Sequence, residues 1–257
     1  FSPSDDFNGT SSFKLQASLS NTNAGLGGDI VTASIAVTPV NDVPIFTIGS
    51  DQTVLEDVGS KIITGWATGI SPGPSDESNQ ILTFNISDVD AGLYAVQPSI
   101  SSSGELNYTP ADNAHGSDEI TVTLSDDGGL DNEGVDTSDP QTFTITIDPV
   151  ADTPTITGST TLEDIQSTSG LVISRNDVDG VEVTHFKITE VTDGTLYQNN
   201  GTTQIIAGDF ITYLDGNAGL KFSPSDDFNG TSSFKLQASI SSTHAGLGGD
   251  IVTASIA

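Results

Sequence analysis

The chain has no cysteine and no methionine, a single tryptophan, and only 6 Lys+Arg among its 257 residues. Each scarcity removes something. Without cysteine no disulfide can hold a small domain together. With so few basic residues, the Lys/Arg clusters that bind phosphate backbones are missing, which excludes nucleic acid as a partner. The same lack argues against docking on an anionic membrane surface. No apolar run approaches the ~18 residues a spanning helix needs, and the first residues do not read as a signal peptide, so no membrane insertion is expected. The three histidines (His115, His185 and His244) are far apart in sequence, against a His-based metal or acid/base site. Neither the Ser-centred elbow of hydrolases nor a phosphate-binding glycine loop with its lysine occurs. The expectation is a protein that is not an enzyme.

What is abundant is acid. Asp+Glu number 35, giving a formal charge of −29. Hydrophobic residues make up 34%, beside 27 Gly, so each domain can bury only a thin core. Self-repulsion at this charge destabilises a compact state, and bound divalent cations are the simplest relief. An acidic, Cys-free chain rich in Thr, Ser, Asp and Gly has the composition of an extracellular or cell-surface protein, and a bacterial one.

Internal repetition sets the organisation. Residues 1–36 recur at 222–257, an offset of 221, with three differences: Leu19/Ile240, Asn21/Ser242 and Asn23/His244. A weaker repeat lies inside that unit. Tyr108-Thr-Pro-Ala-Asp-Asn-Ala-His-Gly116 lines up with Phe1-Ser-Pro-Ser-Asp-Asp-Phe-Asn-Gly9. Likewise Asp148-Pro-Val-Ala-Asp-Thr-Pro154 lines up with Thr38-Pro-Val-Asn-Asp-Val-Pro44, and Leu-Glu-Asp follows at 55–57 and 162–164. The expected division is therefore residues 1–43 as the C-terminal half of a module, 44–153 as a complete module, and 154–257 as a module lacking its last strand and linker. The whole reads as a piece of a longer tandem array.

Alternation of apolar and polar residues dominates, as in Phe13–Leu19, Ile120–Leu124 and Phe143–Ile147, the mark of half-buried strands. Turn pairs such as Asn8-Gly9, Asp127-Gly128 and Asn200-Gly201 punctuate the runs. Short strands at this spacing predict an all-β fold of tandem Greek-key antiparallel β-sandwiches with almost no helix. Trp66 is expected to pack in a core, against the alternative of a sugar-stacking platform.

The linker Val40-Asn-Asp-Val-Pro44, the run Ile145–Pro154 and the acidic elements Ser125-Asp-Asp-Gly128 and Asn176-Asp-Val-Asp-Gly180 together resemble the cadherin-like, immunoglobulin-like repeats of giant bacterial surface proteins and RTX-type adhesins. That resemblance implies Ca2+ where successive modules meet, because the ion takes six to eight hard oxygen ligands gathered from several loops. Carried over residue by residue, it implies Asn41 and Asp42 at the first junction, and Asp126 at the Asp-x-Gly position of the module at 44–153. At the second it implies Asp148, Asp152, Asp177 and Asp179, with Glu56 or Glu163 as the strand-A glutamate. The pattern departs from the family at Asn107-Tyr-Thr109, where two carboxylates are lost, and at Ser75-Asp-Glu-Ser78, where a DxD element belongs. The implied function is a spacer repeat of an extracellular adhesin or surface fibre, its partners being neighbouring repeats and other copies in a fibre or matrix. The alternative is a carbohydrate- or partner-binding module working through loop 71–80.

Overall fold

The computed structural model describes residues 1–257. An N-terminal hairpin pairs β1 (Gly9–Ser18) with β2 (Leu26–Val37). Nine strands follow: β3 (Ile45–Thr47), β4 (Gln52–Leu55), β5 (Lys61–Ile63), β6 (Thr68–Ser71), β7 (Thr83–Ser87), β8 (Tyr94–Ile100), β9 (Leu106–Pro110), β10 (Gly116–Ser125) and β11 (Gln141–Asp148). The last nine are β12 (Thr155–Ile156), β13 (Ile173–Ser174), β14 (His185–Thr192), β15 (Gly194–Tyr197), β16 (Gln204–Ile205), β17 (Phe210–Thr212), β18 (Lys221–Pro224), β19 (Ser232–Ser239) and β20 (Leu247–Ile256).

The strands β3 to β11 form one sandwich, with sheets β4-β11-β10-β7 and β5-β9-β8 and the pair β3-β6. Strict alternation along β10 and β11 turns Ile120, Val122, Leu124, Phe143, Ile145 and Ile147 inward, where they meet Leu106 and Tyr108 of the opposite sheet in one core. The strands β12 to β20 repeat the plan, with sheets β17-β14-β19-β20 and β16-β15-β18 and the pair β12-β13. Their core gathers Phe186, Ile188, Leu196, Phe222, Phe234 and Leu236, all fully buried. The fold is all-β, as the alternation predicts.

Three details differ from expectation. First, β4 runs parallel to β11, Gln52 facing Ile145. The opening segment of the sandwich pairs β3 with β6 and then crosses to the other sheet, so it travels alongside the last strand. The crossing needs Gly49: a Cβ there would lie 2.5 Å from the Trp66 indole. That indole donates to the Ser50 carbonyl at 2.9 Å and packs 4.5 Å from the Phe143 ring, centroid to centroid. Trp66 is buried in the core and offers no platform for a sugar.

Second, the strand expected to be missing from residues 154–257 is present. β20 pairs antiparallel with β19 as β11 pairs with β10. Third, a five-residue helix, α1 (Tyr213–Asn217), lies between β15 and β18, where the first sandwich has a short turn. Its start is capped by Thr212, whose hydroxyl accepts from the Asp215 amide at 3.1 Å and donates to the Asp215 carboxylate. The signal is the Thr-x-x-Asp spacing of a capping box.

The two copies of the duplicated segment fold alike but are buried differently. In both hairpins Phe faces Ala and Leu faces Val (Phe13↔Ala33 and Leu15↔Val31; Phe234↔Ala254 and Leu236↔Val252), and both have a bulge directly after that leucine. Local sequence thus fixes the register. Burial depends on neighbours. Phe13 and Leu15 are 51% and 48% exposed, whereas Phe234 and Leu236 are 0% exposed, because β14 and the facing sheet cover them.

One residue type at two equivalent places therefore gives a paired prediction. Phe234→Ala should cost about 3–5 kcal/mol of stability in the C-terminal sandwich, while Phe13→Ala should stay within about 0.5 kcal/mol. Denaturant titration followed by amide exchange in β19 measures both; equal effects would show that the covering strands do not matter.

Candidate metal centres at the two linkers

The linker at residues 38–43 lies against the loops that open the following sandwich. Asn41 is its anchor. The Asn41 amide nitrogen donates to Asp126 Oδ1 at 2.9 Å and to the Val135 carbonyl at 2.8 Å, and its oxygen accepts from Gln80 Nε2 at 2.6 Å. One residue on, the Asp42 backbone amide donates to Glu77 Oε1 at 2.9 Å. From the hairpin side, Asn8 donates to the Asp76 carboxylate.

The linker at residues 149–153 is held at both of its ends. Its Val150 amide donates to Glu56 Oε1 of the preceding sandwich at 2.7 Å. Its Asp152 amide donates to both oxygens of Asp179 in the following sandwich, at 3.1 and 3.3 Å. Asn176 adds a bond from its amide to the Thr153 carbonyl, and Thr153 Oγ1 accepts from the Asp250 amide at 2.8 Å. Glu77 and Asp179 thus occupy equivalent places: each carboxylate captures the backbone N–H of the linker aspartate. The departure from DxD at Ser75–Ser78 is one of sequence more than of placement.

The expected ligands divide accordingly. Asn41, Asp42 and Asp126 meet at the first linker, joined by Glu77 and Gln80, which the motif comparison left out of the ligand set. Asp152 and Asp179 meet at the second, and Glu56 reaches the same linker. Asp148 enters through its backbone, its carbonyl accepting from the Glu56 amide at 2.9 Å. Asp177 is exposed and not joined to Asp179 or Asp152 by any bond. Glu163 repeats Glu56 in sequence but is exposed.

The neighbouring aspartates Asp57 and Asp164 have a different duty. Both stand in the left-handed region (φ 60° and 58°), and their Oδ1 atoms accept from the Asn113 and Asp227 amides at 2.9 and 3.0 Å. They latch the turn that the repeats share, and so explain that part of the Leu-Glu-Asp motif without a metal.

The electrostatics at the linkers are strained toward protonation. Burial holds the Glu77 carboxyl above its usual 4.5, aided by Asp42, Asp76 and Asp126 and opposed by the bond from the Asp42 amide. Burial likewise raises Asp152, with help from Asp57, and raises Asp179, with help from Asp152 and Glu182. No basic side chain bonds any of these three groups. Buried oxygens are also left without hydrogen-bond partners: Glu77 Oε2, Asp126 Oδ2 and Gln80 Oε1 at the first linker, and Glu56 Oε2 at the second, which faces His115 Nδ1 at 3.4 Å. An unpartnered buried carboxylate oxygen costs free energy that a cation would recover.

Oxygen donors of this kind fit a hard divalent cation such as Ca2+. The geometry is not that of a finished cage, since no three His, Cys, Asp or Glu side chains converge as a metal-holding group. The fit is therefore one of donor chemistry: carboxylate and amide oxygens that are buried, unpaired and on opposite sides of a linker.

No protein-family model matches the chain, and no curated protein sequence matches it. Among solved structures it is similar to human protocadherin-24 EC1-2 (form II), at 16% identity over 84% of this chain and 99% of that one, with a TM-score of 0.41. It is similar to human CDH23 EC21-23 at 14% identity, over 91% and 69%, TM-score 0.48. It is also similar to chicken VE-cadherin EC1-2 at 13% identity, over 82% and 97%, TM-score 0.35. Identities of this size carry neither ligands nor function across to this chain. No helix is long and apolar enough to cross a membrane.

The raised carboxyls set the sign of a pH response. Each is harder to ionise folded than unfolded, so its ionisation at neutral pH subtracts from stability. Protonation restores that stability as pH falls through the folded value toward the usual 3.8–4.5. In chelator, melting temperature should rise as pH is lowered from 7 to about 5, and the rise should be smaller in the Glu77→Gln, Asp179→Asn variant. Equal pH slopes for the two chains would contradict the assignment.

Proposed function

We propose that this chain is a non-enzymatic spacer: a run of β-sandwich modules, divided at 43/44 and 153/154, from a large extracellular or cell-surface protein. The observation that carries this reading is the repeated linker lock. At both junctions the same backbone amide of the linker, that of Asp42 or Asp152, is held by a carboxylate of the following sandwich. Glu56 holds the second linker from the other side as well. Bonds to both neighbours within a few residues fix one module's direction relative to the next. A chain of such joints transmits length and stiffness, the properties a spacer supplies to an adhesin, a fibre or a matrix.

The loop 71–80 supports the spacer over a ligand-binding module. Glu77 and Gln80 of that loop are engaged with the linker, so its acidic tip serves the joint. The acidic, Cys-free composition supports an extracellular setting, and the surface proteins of bacteria are the proposed source.

Ca2+ is the proposed cofactor. It would be held by Glu77, Asp126 and Gln80 with Asn41 and Asp42 at the first linker, and by Glu56, Asp152 and Asp179 at the second. When bound it would supply positive charge to oxygens that have no partner. The residues themselves orient the linker: Asn41 bridges Asp126 and Val135, and Asp179 grips the Asp152 amide.

Thermal melting in excess Ca2+ and in EDTA tests the reading. A ligand bound only by the folded state stabilises by mass action, about 2.7 kcal/mol at one hundred times its Kd. Ca2+ should raise the melting temperature of the wild type and have little effect on Glu77→Gln, Asp179→Asn. X-ray scattering of the same samples should show a longer, stiffer particle with Ca2+. Superimposable melting curves and scattering profiles would remove the metal from the proposal.

A further inference from the structure

We propose that the residue before each linker aspartate is a key that only the following sandwich accepts: Asn41 fits the sandwich of β3–β11, and Ala151 fits that of β12–β20. Each sandwich thereby selects the module type that precedes it. The inference rests on the spacer reading in taking both linkers as joints, and it does not depend on Ca2+.

The two positions are equivalent. Each directly precedes the aspartate whose amide is captured, Asp42 by Glu77 and Asp152 by Asp179. Their surroundings are opposite. Asn41 lies in a polar cage that bonds both ends of its side-chain amide, Nδ2 to Asp126 and the Val135 carbonyl, Oδ1 to Gln80. Its backbone carbonyl accepts from the Val135 amide at 3.0 Å. Ala151 is 1% exposed and belongs to the apolar core of the following sandwich.

Strand register identifies what changed. Leu124 faces Phe84 and Ala238 faces Phe186, so β10 aligns with β19 and Asp126 corresponds to Ile240. Ile240 packs against the core that contains Ala151. The duplicate segment has Leu19 at that position, so its apolar character is kept. Gln80 stands four residues before Phe84, as Glu182 stands before Phe186. Glu182 is a carboxylate that accepts from the Gly180 amide and cannot donate.

Two glycines set the depth of each site. A Cβ at Gly128 would overlap the side-chain oxygen of Asn41, whereas one at Gly248 would overlap the backbone carbonyl of Ala151. The first sandwich clears room for a side chain. The second presses on the main chain of the linker and leaves room for a methyl group. An asparagine at 151 would therefore bury an amide without the acceptor or the donor that Asn41 uses. An alanine at 41 would remove the shared partner of Asp126, Gln80 and Val135. Asn precedes one module type and Ala the other, so the keys hold the two types in alternating order along an array.

Amide exchange in the full chain, in EDTA at neutral pH, is the test. Asp42 reports the first joint and Asp152 the second, and both should be protected in the wild type. Asn41→Ala should speed Asp42 exchange about tenfold, and Ala151→Asn should speed Asp152 exchange at least as much. Rescue separates a key from ordinary damage to a core. Ile240→Asp with Glu182→Gln should recover most of the lost Asp152 protection in Ala151→Asn, and none of it in Ala151→Leu. The same pair of changes should lower Asp152 protection when Ala151 is kept. Unchanged Asp42 protection in Asn41→Ala would overturn the proposal, as would failure of the rescue or equal rescue of Ala151→Leu. Free exchange of Asp42 and Asp152 in the wild type would remove the joints of the spacer reading, and this inference with them.

Discussion

A pair of strands has one apolar face and cannot bury it unaided. Everything else in this protein follows from how that need is met. In each sandwich two sheets close over alternating Val, Ile, Leu and Phe, and the buried residues form one continuous core. In the N-terminal hairpin the same side chains in the same register stand in solvent. The comparison isolates two energies that are usually mixed: hydrogen-bonded pairing, which the local sequence specifies, and burial, which only a second sheet can provide.

The linkers extend this logic from strands to modules. The residues between sandwiches are polar and short, and their backbone donors would be stranded if they were merely packed against a neighbour. Carboxylates at the ends of the sandwiches accept them instead. The arrangement carries an electrostatic cost, visible in the raised Glu77, Asp152 and Asp179 carboxyls. It gathers buried carboxylates that no basic side chain bonds where modules meet.

Much of the fold was legible in the sequence because period-two alternation reports directly on which residues face a core. The 221-residue repeat was equally plain and gave matching hairpins. What escaped the sequence depended on contacts between distant segments. The parallel pairing of β4 with β11 requires knowing that the chain changes sheets at Gly49. Glu77 looked like a break in a motif, yet its longer side chain reaches the amide that Asp179 reaches at the other junction. Glu56 and Glu163 are the same residue in the same motif, yet Glu56 is buried and accepts a linker amide while Glu163 is exposed. Asp177 reads as half of a DxD pair, but its side chain faces solvent. A motif fixes residue type and spacing; burial and partner are decided by what packs against it.

The duplicated hairpin also bears on how the chain reaches its native state. The acceptor strand β14 can choose between two nearly identical partners. The correct one, β19, begins 40 residues after β14 ends, whereas its counterpart β1 ends 167 residues before β14 begins. Since each doubling of a closed loop costs roughly 0.6 kcal/mol, the nearer partner is favoured by only about 1 kcal/mol of chain entropy. Contacts cannot improve on that margin, because both hairpins offer the same ones. Order of emergence must then govern fidelity: during N-to-C synthesis the wrong hairpin is complete before β14 exists, and the right one arrives last.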